Sequence, residues 1–407
     1  MIDLDKPLDF SSQEYLHNKF EIMEQVREER PVHTAKVSVL KVYTVARYAD
    51  CAALLKDPRV VRNRTTATGG SRMPFPVPKS VKPLIESMIQ QDDPNHKRLR
   101  DLVRHAFKPQ AIREIEINID RYSHQLLDEL EQRSQFDLHK DYALKIPVRM
   151  IADMLGIEQS DMAVFQQTFG VLTNGFSGWR LFRTLFRDLP KTVEFARQLI
   201  HKKQKSPGED ILTALIQAEI DTENGDHRLT EDELVGMIFL LIVAGYETTV
   251  HLICNGMLTL LENPASLAEL QTDPGLINST VEEILRHRGP VQSTKPGYTT
   301  QDIQLEGGLI PKGKPVMPLF AAANHDPRVF DNPQQFDIHR TPNHHLGFGH
   351  GIHFCLGAHL ARAEARVGIA NLIYRFPDLR LAVPANQLTL ANLPGWHRYE
   401  NMPLAIS

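Results

Sequence analysis

The chain has 407 residues, 42% of them hydrophobic and 24% charged, with a formal net charge of −4. That balance describes a soluble globular protein with enough apolar side chains for a sizeable core, and the net charge gives no hint of nucleic acid, which wants a strongly basic face. Three cysteines, Cys51, Cys254 and Cys355, are odd in number and far apart, which argues against a disulfide framework and for a reducing, cytoplasmic setting.

The N-terminal MIDLDKPLDF has neither a basic n-region nor an apolar h-region, so no signal peptide is expected. Residues 37–43 read as a strand. From about residue 94 to 286 helical periodicity dominates, with apolar residues three and four apart in 112–131 and 192–203. The longest predicted helix opens on a capping box, Thr230 with Glu233, in which hydroxyl and carboxylate satisfy each other's backbone N–H groups. It runs to Asn263-Pro264, a length of roughly 50 Å. Its most apolar stretch, 237–245, runs into Glu247 and is too short for a bilayer, so no membrane span is expected. Residues 290–354 are rich in Pro, Gly and His and read as loop with short strands at 303–305 and 315–319. A last helix is predicted from Cys355 to about Tyr374. The fold class is therefore mainly α with small β-sheets and a long central helix, and composition alone fits one domain or two.

The segment from Phe348 to Gly357 carries Gly349, Gly351, His353 and Cys355. Its glycines permit tight turns and close approach of a flat ligand, and a thiolate is favoured near a helix start. Three chemistries compete for Cys355: an inert buried thiol, a zinc site shared with His350, His353 and His359, or a haem thiolate. Zinc sites usually pair ligands at short spacings, and no second cysteine lies nearby. Midway along the long helix stand Ala244, Gly245, Tyr246, Glu247, Thr248 and Thr249. Gly245 costs about 1 kcal/mol in a helix interior, and an acid beside a hydroxyl suits either a polar kink or a proton relay. Glu283 and Arg286 stand three apart, ordinarily a weak surface pair. His96 and Arg100 share one face of another helix.

The order F-x-x-G-x-x-x-C-x-G from Phe348 to Gly357 resembles the haem-binding loop of the cytochrome P-450 family, most closely its bacterial soluble members. The family's A/G-G-x-D/E-T, at Ala244 to Thr248, and its E-x-x-R, at Glu283 to Arg286, fall in the same order, so the resemblance covers nearly the whole chain. It implies a single haem-thiolate monooxygenase domain over 1–407, with the long helix over the haem. Haem b would be ligated by Cys355 and bordered by Ala244, Gly245, Phe348 and Gly349. His96, Arg100 and His353 would donate to its propionates. Thr248 and Glu247 would be catalytic, the first holding dioxygen by a hydrogen bond and the second helping to deliver protons. Glu283, Arg286 and Arg340 would be structural. The sequence departs from the family at Gly297, where relatives usually carry another propionate-binding arginine; Lys295 and Tyr298 are the candidate substitutes. His325 stands where the family commonly has arginine.

The implied function is insertion of one oxygen atom from dioxygen into a small, apolar organic substrate, by hydroxylation or epoxidation, in a setting such as secondary metabolism. Electrons would come from NAD(P)H through a separate ferredoxin or flavodoxin and its reductase. Lys97, Arg98, His359 and Arg362 would supply a positive docking face. The pocket is expected from 62–92, 169–190, 291–295 and 393–399, together with Leu240, Val243 and Ala244. In 169–190, Phe176, Trp179, Phe182 and Phe186 stand beside Arg180, Arg183 and Arg187; this reads either as a lid for an apolar acid or as an amphipathic helix with a solvated basic face. A peroxide-driven or C–C coupling enzyme on the same haem, and a non-catalytic haem sensor or carrier, are the alternatives.

Overall fold

The computed structural model describes residues 2–37, 40–69, 82–106, 109–158, 160–165, 184–219 and 228–406. Backbone contacts resolve the chain into two compact units. One comprises Met1–Gly70, Ile119–Ile146 and Thr248–Ser407, and the other Ser71–Asn118 and Pro147–Glu247.

The first unit holds every strand of the described residues. Its main sheet runs β1 (Leu8–Asp9), β2 (Val32–Val37), β3 (Leu40–Val45), β9 (Pro315–Pro318), β6 (Gly297–Thr299) and β4 (Val60–Val61). Strands β2 and β3 form an antiparallel ribbon with Val32 opposite Val45, while β3 pairs parallel to β9 with Tyr43 opposite Val316. One face of this sheet offers Ala35, Val42 and Met317 to Ile22, Met23 and Val26 of the helix Lys19–Glu29. The helix places those residues at three- and four-residue intervals, which is why a single stripe suffices to close the core. β10 (Arg380–Leu381), β11 (Pro403–Ala405) and β5 (Gln135–Asp137) make a three-stranded sheet, and β7 (Ile303–Leu305) with β8 (Gly308–Ile310) a hairpin.

The second unit is helical among its described residues. Leu99, Leu102 and Val103 of the helix Asn95–Ala106, Leu199 and Ile200 of Leu189–Lys205, and Leu212 and Leu215 of Ile211–Gln217 are all buried.

The long helix spans Glu231–Glu262 and crosses from the second unit to the first at Glu247–Thr248. Its start is the expected capping box: Thr230 N–H donates to Glu233 Oε2 (2.9 Å) and Glu233 N–H to Thr230 Oγ1 (3.3 Å). Pro264 begins the next helix, Pro264–Thr272. The apolar run is longer than 237–245, for this helix is long and apolar enough to cross a membrane by length and composition, with a mean hydropathy of 1.8. Burial explains that composition: Val235, Ile238 and Ile242 are enclosed in one unit and Ile253, Met257 and Leu258 in the other, as in a core helix apolar all round.

Candidate active site

The long helix is not evenly enclosed. Between buried stretches, Leu240, Val243, Gly245, Glu247 and Thr248 are only half-buried and Ala244 is exposed. Leu240, Ala244 and Thr248 stand four apart and Val243 and Glu247 likewise, so all five lie along one side of the helix. Apolar side chains left uncovered beside an acid and a hydroxyl form a face suited to a small apolar molecule. On the flank, a Cβ at Gly245 would lie 3.2 Å from Ile151 Cδ1, so glycine is also what close packing requires there.

Cys355 lies in a loop closed by its own backbone. Its N–H donates to the Phe348 carbonyl (2.9 Å), Gly349 N–H to Leu346 (2.8 Å) and Phe354 N–H to Gly351 (3.1 Å). Gly351 has φ +70°, and a Cβ there would strike the Leu55 carbonyl oxygen, so only glycine fits. The last helix begins at Ala358 with Gly357 as its N-cap, not at Cys355 as expected. The thiol therefore precedes the helix, because its N–H is committed to Phe348 rather than to a helical turn. Of the three cysteines, Cys51 and Cys254 are buried with their thiol pKa values pushed up by desolvation, whereas Cys355 is partly accessible.

The loop fits a flat thiolate-bound cofactor better than zinc. Among the described residues no three His, Cys, Asp or Glu side chains gather to hold a metal ion, so His350, His353 and His359 do not join Cys355 in a tetrahedral site. A Cβ at Gly357 would meet nothing within 4 Å, and one at Gly349 only the His353 carbonyl at 4.0 Å. A single thiolate beside such open glycine backbone matches haem ligation, in which cysteine is the sole protein ligand. Phe348 is fixed by the Arg362 guanidinium over its ring at 4.4 Å and by Phe354 at 6.3 Å. His353 is half-buried in the same loop.

His96 and Arg100 lie one turn apart in the second unit, His96 buried and Arg100 half-buried. Burial lowers the His96 pKa, opposed by Asp93, whose carboxylate is 3.3 Å from Nδ1.

The expected structural triad is present. Glu283 and Arg286 are fully buried, joined at 2.7 and 2.8 Å, and Arg340 approaches Glu283 at 3.1 Å. By contrast, the expected positive docking face is largely neutralised. Arg362 chelates Glu282 (2.6 and 2.8 Å) and Arg98 is paired with Glu233, leaving Lys97, itself 2.6 Å from Asp101, and exposed His359. Burial alone would raise the Glu282 pKa, but Arg362 and His345 hold it down to about 2.

One group escaped the sequence reasoning. Glu364, on the last helix (Ala358–Arg375), is buried, hydrogen-bonded by the Thr249 hydroxyl, and pushed up to about 8 by desolvation. The signal was present: Glu364 shares its four-residue spacing with buried Gly368 and Leu372, a carboxyl on a core stripe. Of the expected pocket segments, 70–81 and 169–183 fall outside the described residues; those include Phe176, Trp179, Arg180, Phe182 and Arg183.

Comparison with known proteins agrees with this geometry. The cytochrome P450 family profile matches residues 18–274 and 275–381. The polyketide biosynthesis cytochrome P450 PksS of Bacillus subtilis is 34% identical over 399 residues, covering 97% of each chain. Its solved structure superimposes with a TM-score of 0.90 over 98% of this chain and 99% of that one, at 32% identity. Cytochrome P450 monooxygenase PikC of Streptomyces venezuelae is 35% identical over 387 residues, covering 92% and 88% of the two chains. The structure of P450BioI in complex with an acyl carrier protein ligated to hexadec-9Z-enoic acid matches with a TM-score of 0.85 at 32% identity, over 97% and 100%. The chain belongs to the cytochrome P450 family and is one of its monooxygenases of bacterial type.

Proposed function

We propose that this monooxygenase inserts one oxygen atom of dioxygen into a C–H or C=C bond of a small, mostly apolar substrate, acting as one catalytic domain in the cytoplasm. Electrons reach it from NAD(P)H through a separate ferredoxin or flavodoxin and its reductase. The observation that carries the reading is the uncovered side of the long helix, where Leu240, Val243 and Ala244 lead to Glu247 and Thr248. A sensor or carrier has no use for an acid–hydroxyl pair there, and a peroxide-driven enzyme little.

When bound, haem supplies a thiolate-ligated iron able to activate dioxygen. Cys355 Sγ would ligate it, and His96, Arg100 and His353 would donate hydrogen bonds to its carboxylates. Ala244 and Gly245 keep the helix wall low, so that a small molecule can approach the backbone. Thr248 Oγ1 would offer a hydrogen bond on the uncovered side of the helix, and the Glu247 carboxyl would hold a proton for transfer to that hydroxyl. Thr249 and Glu364 tie this turn to the last helix and fix the phase at which Thr248 is presented. The apolar helix face, with the polyketide-biosynthesis relative PksS and the P450BioI structure bearing a hexadec-9Z-enoic acid-ligated acyl carrier protein, supports an acyl or polyketide-like carbon skeleton for that substrate.

The test is turnover with a surrogate ferredoxin and reductase, after the reduced protein with carbon monoxide shows the strongly red-shifted Soret band of thiolate ligation. Thr248→Ala is expected to keep consuming NADH and oxygen while product falls by roughly tenfold or more, the size of a lost proton-transfer contribution. Equal loss of NADH consumption and product would remove Thr248 from oxygen activation. A Soret band like that of a histidine-ligated haem would sink the reading as a whole.

A further inference from the structure

Two adjacent acids on the helix Ile277–Arg288 serve different parts of the first unit. Successive residues on a helix point about 100° apart, so Glu283 engages Arg286 and Arg340 while Glu282 engages Arg362 and His345. The Glu282 carboxylate is held in a fork: Arg362 Nε donates to Oε1 at 2.6 Å and Nη2 to Oε2 at 2.8 Å. Oε2 also accepts from His345 Nε2 at 3.1 Å.

Both partners of Glu282 converge on Phe348, by different routes. His345, whose side chain is 3% exposed, accepts the Gly347 N–H on Nδ1 at 3.0 Å. A ring nitrogen that accepts carries no proton, so His345 presents Nε2–H to Glu282; protons on both nitrogens would set donor against donor at Gly347. The approach needs glycine, because a Cβ at 347 would lie 3.1 Å from that Nδ1 and 3.2 Å from the Leu285 carbonyl oxygen. Gly347 directly precedes Phe348, whose carbonyl accepts the Cys355 N–H at 2.9 Å. The second route is the Phe348 ring, over which the Arg362 guanidinium lies at 4.4 Å. Glu282 therefore reaches both the backbone and the ring of the residue that holds the Cys355 amide. A guanidinium is always charged, and stacked here it puts a positive charge beside the cysteine loop. The forked carboxylate, ionised at any physiological pH, cancels that charge.

We propose that Glu282 and Arg362 form a charge-neutral brace on the Cys355 loop that sets the reduction potential of the iron this cysteine ligates. The inference rests on the haem-thiolate reading. Both are positioning residues, acting through Phe348 and through the charge they leave on the loop. An uncancelled cation beside a redox centre favours the added electron, and an uncancelled anion opposes it. Removing either member of the brace therefore moves the potential, in opposite directions, whereas a pair that only stiffened the loop would give shifts of one sign.

The experiment uses the holoenzyme and its Glu282→Gln, Arg362→Gln and Arg362→Lys variants, together with the double variant Glu282→Gln/Arg362→Gln. Each is first checked for the thiolate-type carbon monoxide spectrum, and the haem reduction potential is then measured by dye equilibration without a redox partner. Glu282→Gln leaves the guanidinium uncancelled and is expected to shift the one-electron reduction equilibrium about tenfold toward the reduced state, ~59 mV upward. Arg362→Gln leaves the carboxylate and is expected to shift it by a similar factor the other way. The double variant restores neutrality and Arg362→Lys keeps the charge, so both are expected to stay within about twofold of wild type. Unchanged potentials in both single glutamine variants overturn the proposal. So do shifts of the same sign in the two, or a double variant displaced as far as either one, since loosening of the loop rather than charge is then responsible. An Arg362→Lys shift as large as that of Arg362→Gln overturns it as well. Loss of the thiolate spectrum in a variant alone makes the brace a requirement for ligation and equally overturns the tuning role. Absence of that spectrum in the wild type is the separate failure of the underlying reading.

Discussion

Two buried polar regions of the first unit follow opposite designs. Around Glu283 the carboxylate and the guanidinium of Arg286 are fully matched, although Asn343 Oδ1 meets no partner among the described residues. The carboxylate accepts from Arg286, Arg340, the Asp337 N–H (3.0 Å) and Asn343 Nδ2 (3.1 Å), and Arg286 also donates to the carbonyls of Asn324, Pro333 and Gln335. Nearby runs a seam of imidazoles: His139 stacks on His251 at 5.2 Å, Phe20 packs against His397 and His325, and His325 touches His287 at 5.5 Å. Here Nδ1 of His139, His251 and His287 and both ring nitrogens of His397 meet no hydrogen-bond partner among the described residues. A cavity of about 10 Å³ beside His287, bordered by Phe20 and Gln292, has room for one water. The first region carries charge and is wired; in the second, burial favours neutral rings.

The contrast predicts different failures. Glu283→Gln removes the anion and strands two buried guanidinium groups, and breaking a buried pair in this way costs about 3–5 kcal/mol. The measurement is the urea midpoint of the holoenzyme at pH 7.5. A loss below about 1 kcal/mol would show that the carbonyl acceptors alone satisfy Arg286 and Arg340.

Next in size is the response to acid, which should come from the imidazole seam and not from Glu283. Burial depresses the pKa of His325 to about 4, of His251 to about 3 and of His287 to about 2, and lowers those of His139 and His397. Arg286, Arg288 and Lys19 add to the effect. An unfolded histidine titrates near 6.5. Below that pH the unfolded chain binds more protons than the folded one, so the seam's contribution is complete above about 6.5 and is lost as pH falls toward the folded values. Each histidine contributes a slope of about 1.4 kcal/mol per pH unit. Glu364 acts in the opposite sense: its folded pKa is raised to about 8, so it favours the fold as pH falls from there toward the ordinary carboxylate range. The histidines outnumber it, and stability is expected to fall steeply from pH 6.5 to 4.5. A flat profile over that interval would mean that the rings are solvated in the native state.

The same contrast marks what the sequence makes legible. The Glu283–Arg286 pair is three residues apart on one helix, and its partner Arg340 belongs to a recognisable segment, so local spacing exposes the network. The capping box at Thr230 and the stop at Pro264 are equally local, and both held within a residue or two. The seam draws on positions 139, 251, 287, 325 and 397, brought together only by the tertiary fold, and no periodicity announces it. Long-range contacts likewise decided the readings that changed. Cys355 stands outside the last helix because its N–H reaches back to Phe348, and Arg98 and Arg362 carry ion pairs to Glu233 and Glu282 that local spacing does not announce. Thr249 and Glu364 meet from two helices more than a hundred residues apart in sequence, which hid a buried acid next to the Thr248–Thr249 turn.

The smallest predicted effect discriminates best between the two designs. His397 sits between Phe20 at 5.6 Å and Tyr399 at 5.5 Å edge-on. Its backbone N–H donates to the Pro290 carbonyl and its own carbonyl accepts from Asn255 Nδ2, and neither bond depends on the side chain. His397→Phe therefore keeps the aromatic packing and removes two buried nitrogens that carry a desolvation cost of about 1–3 kcal/mol. Against that stands the slightly larger ring, for which overpacking costs about 1–3 kcal/mol. The two nearly cancel, so the urea midpoint at pH 7.5 should correspond to within about 1 kcal/mol of wild type. The slope of stability against pH between 4.5 and 6.5 should meanwhile drop by about one histidine's share. A loss at pH 7.5 as large as that of Glu283→Gln would place ordered water on the His397 nitrogens, and the seam would then be wired as tightly as the Glu283 network.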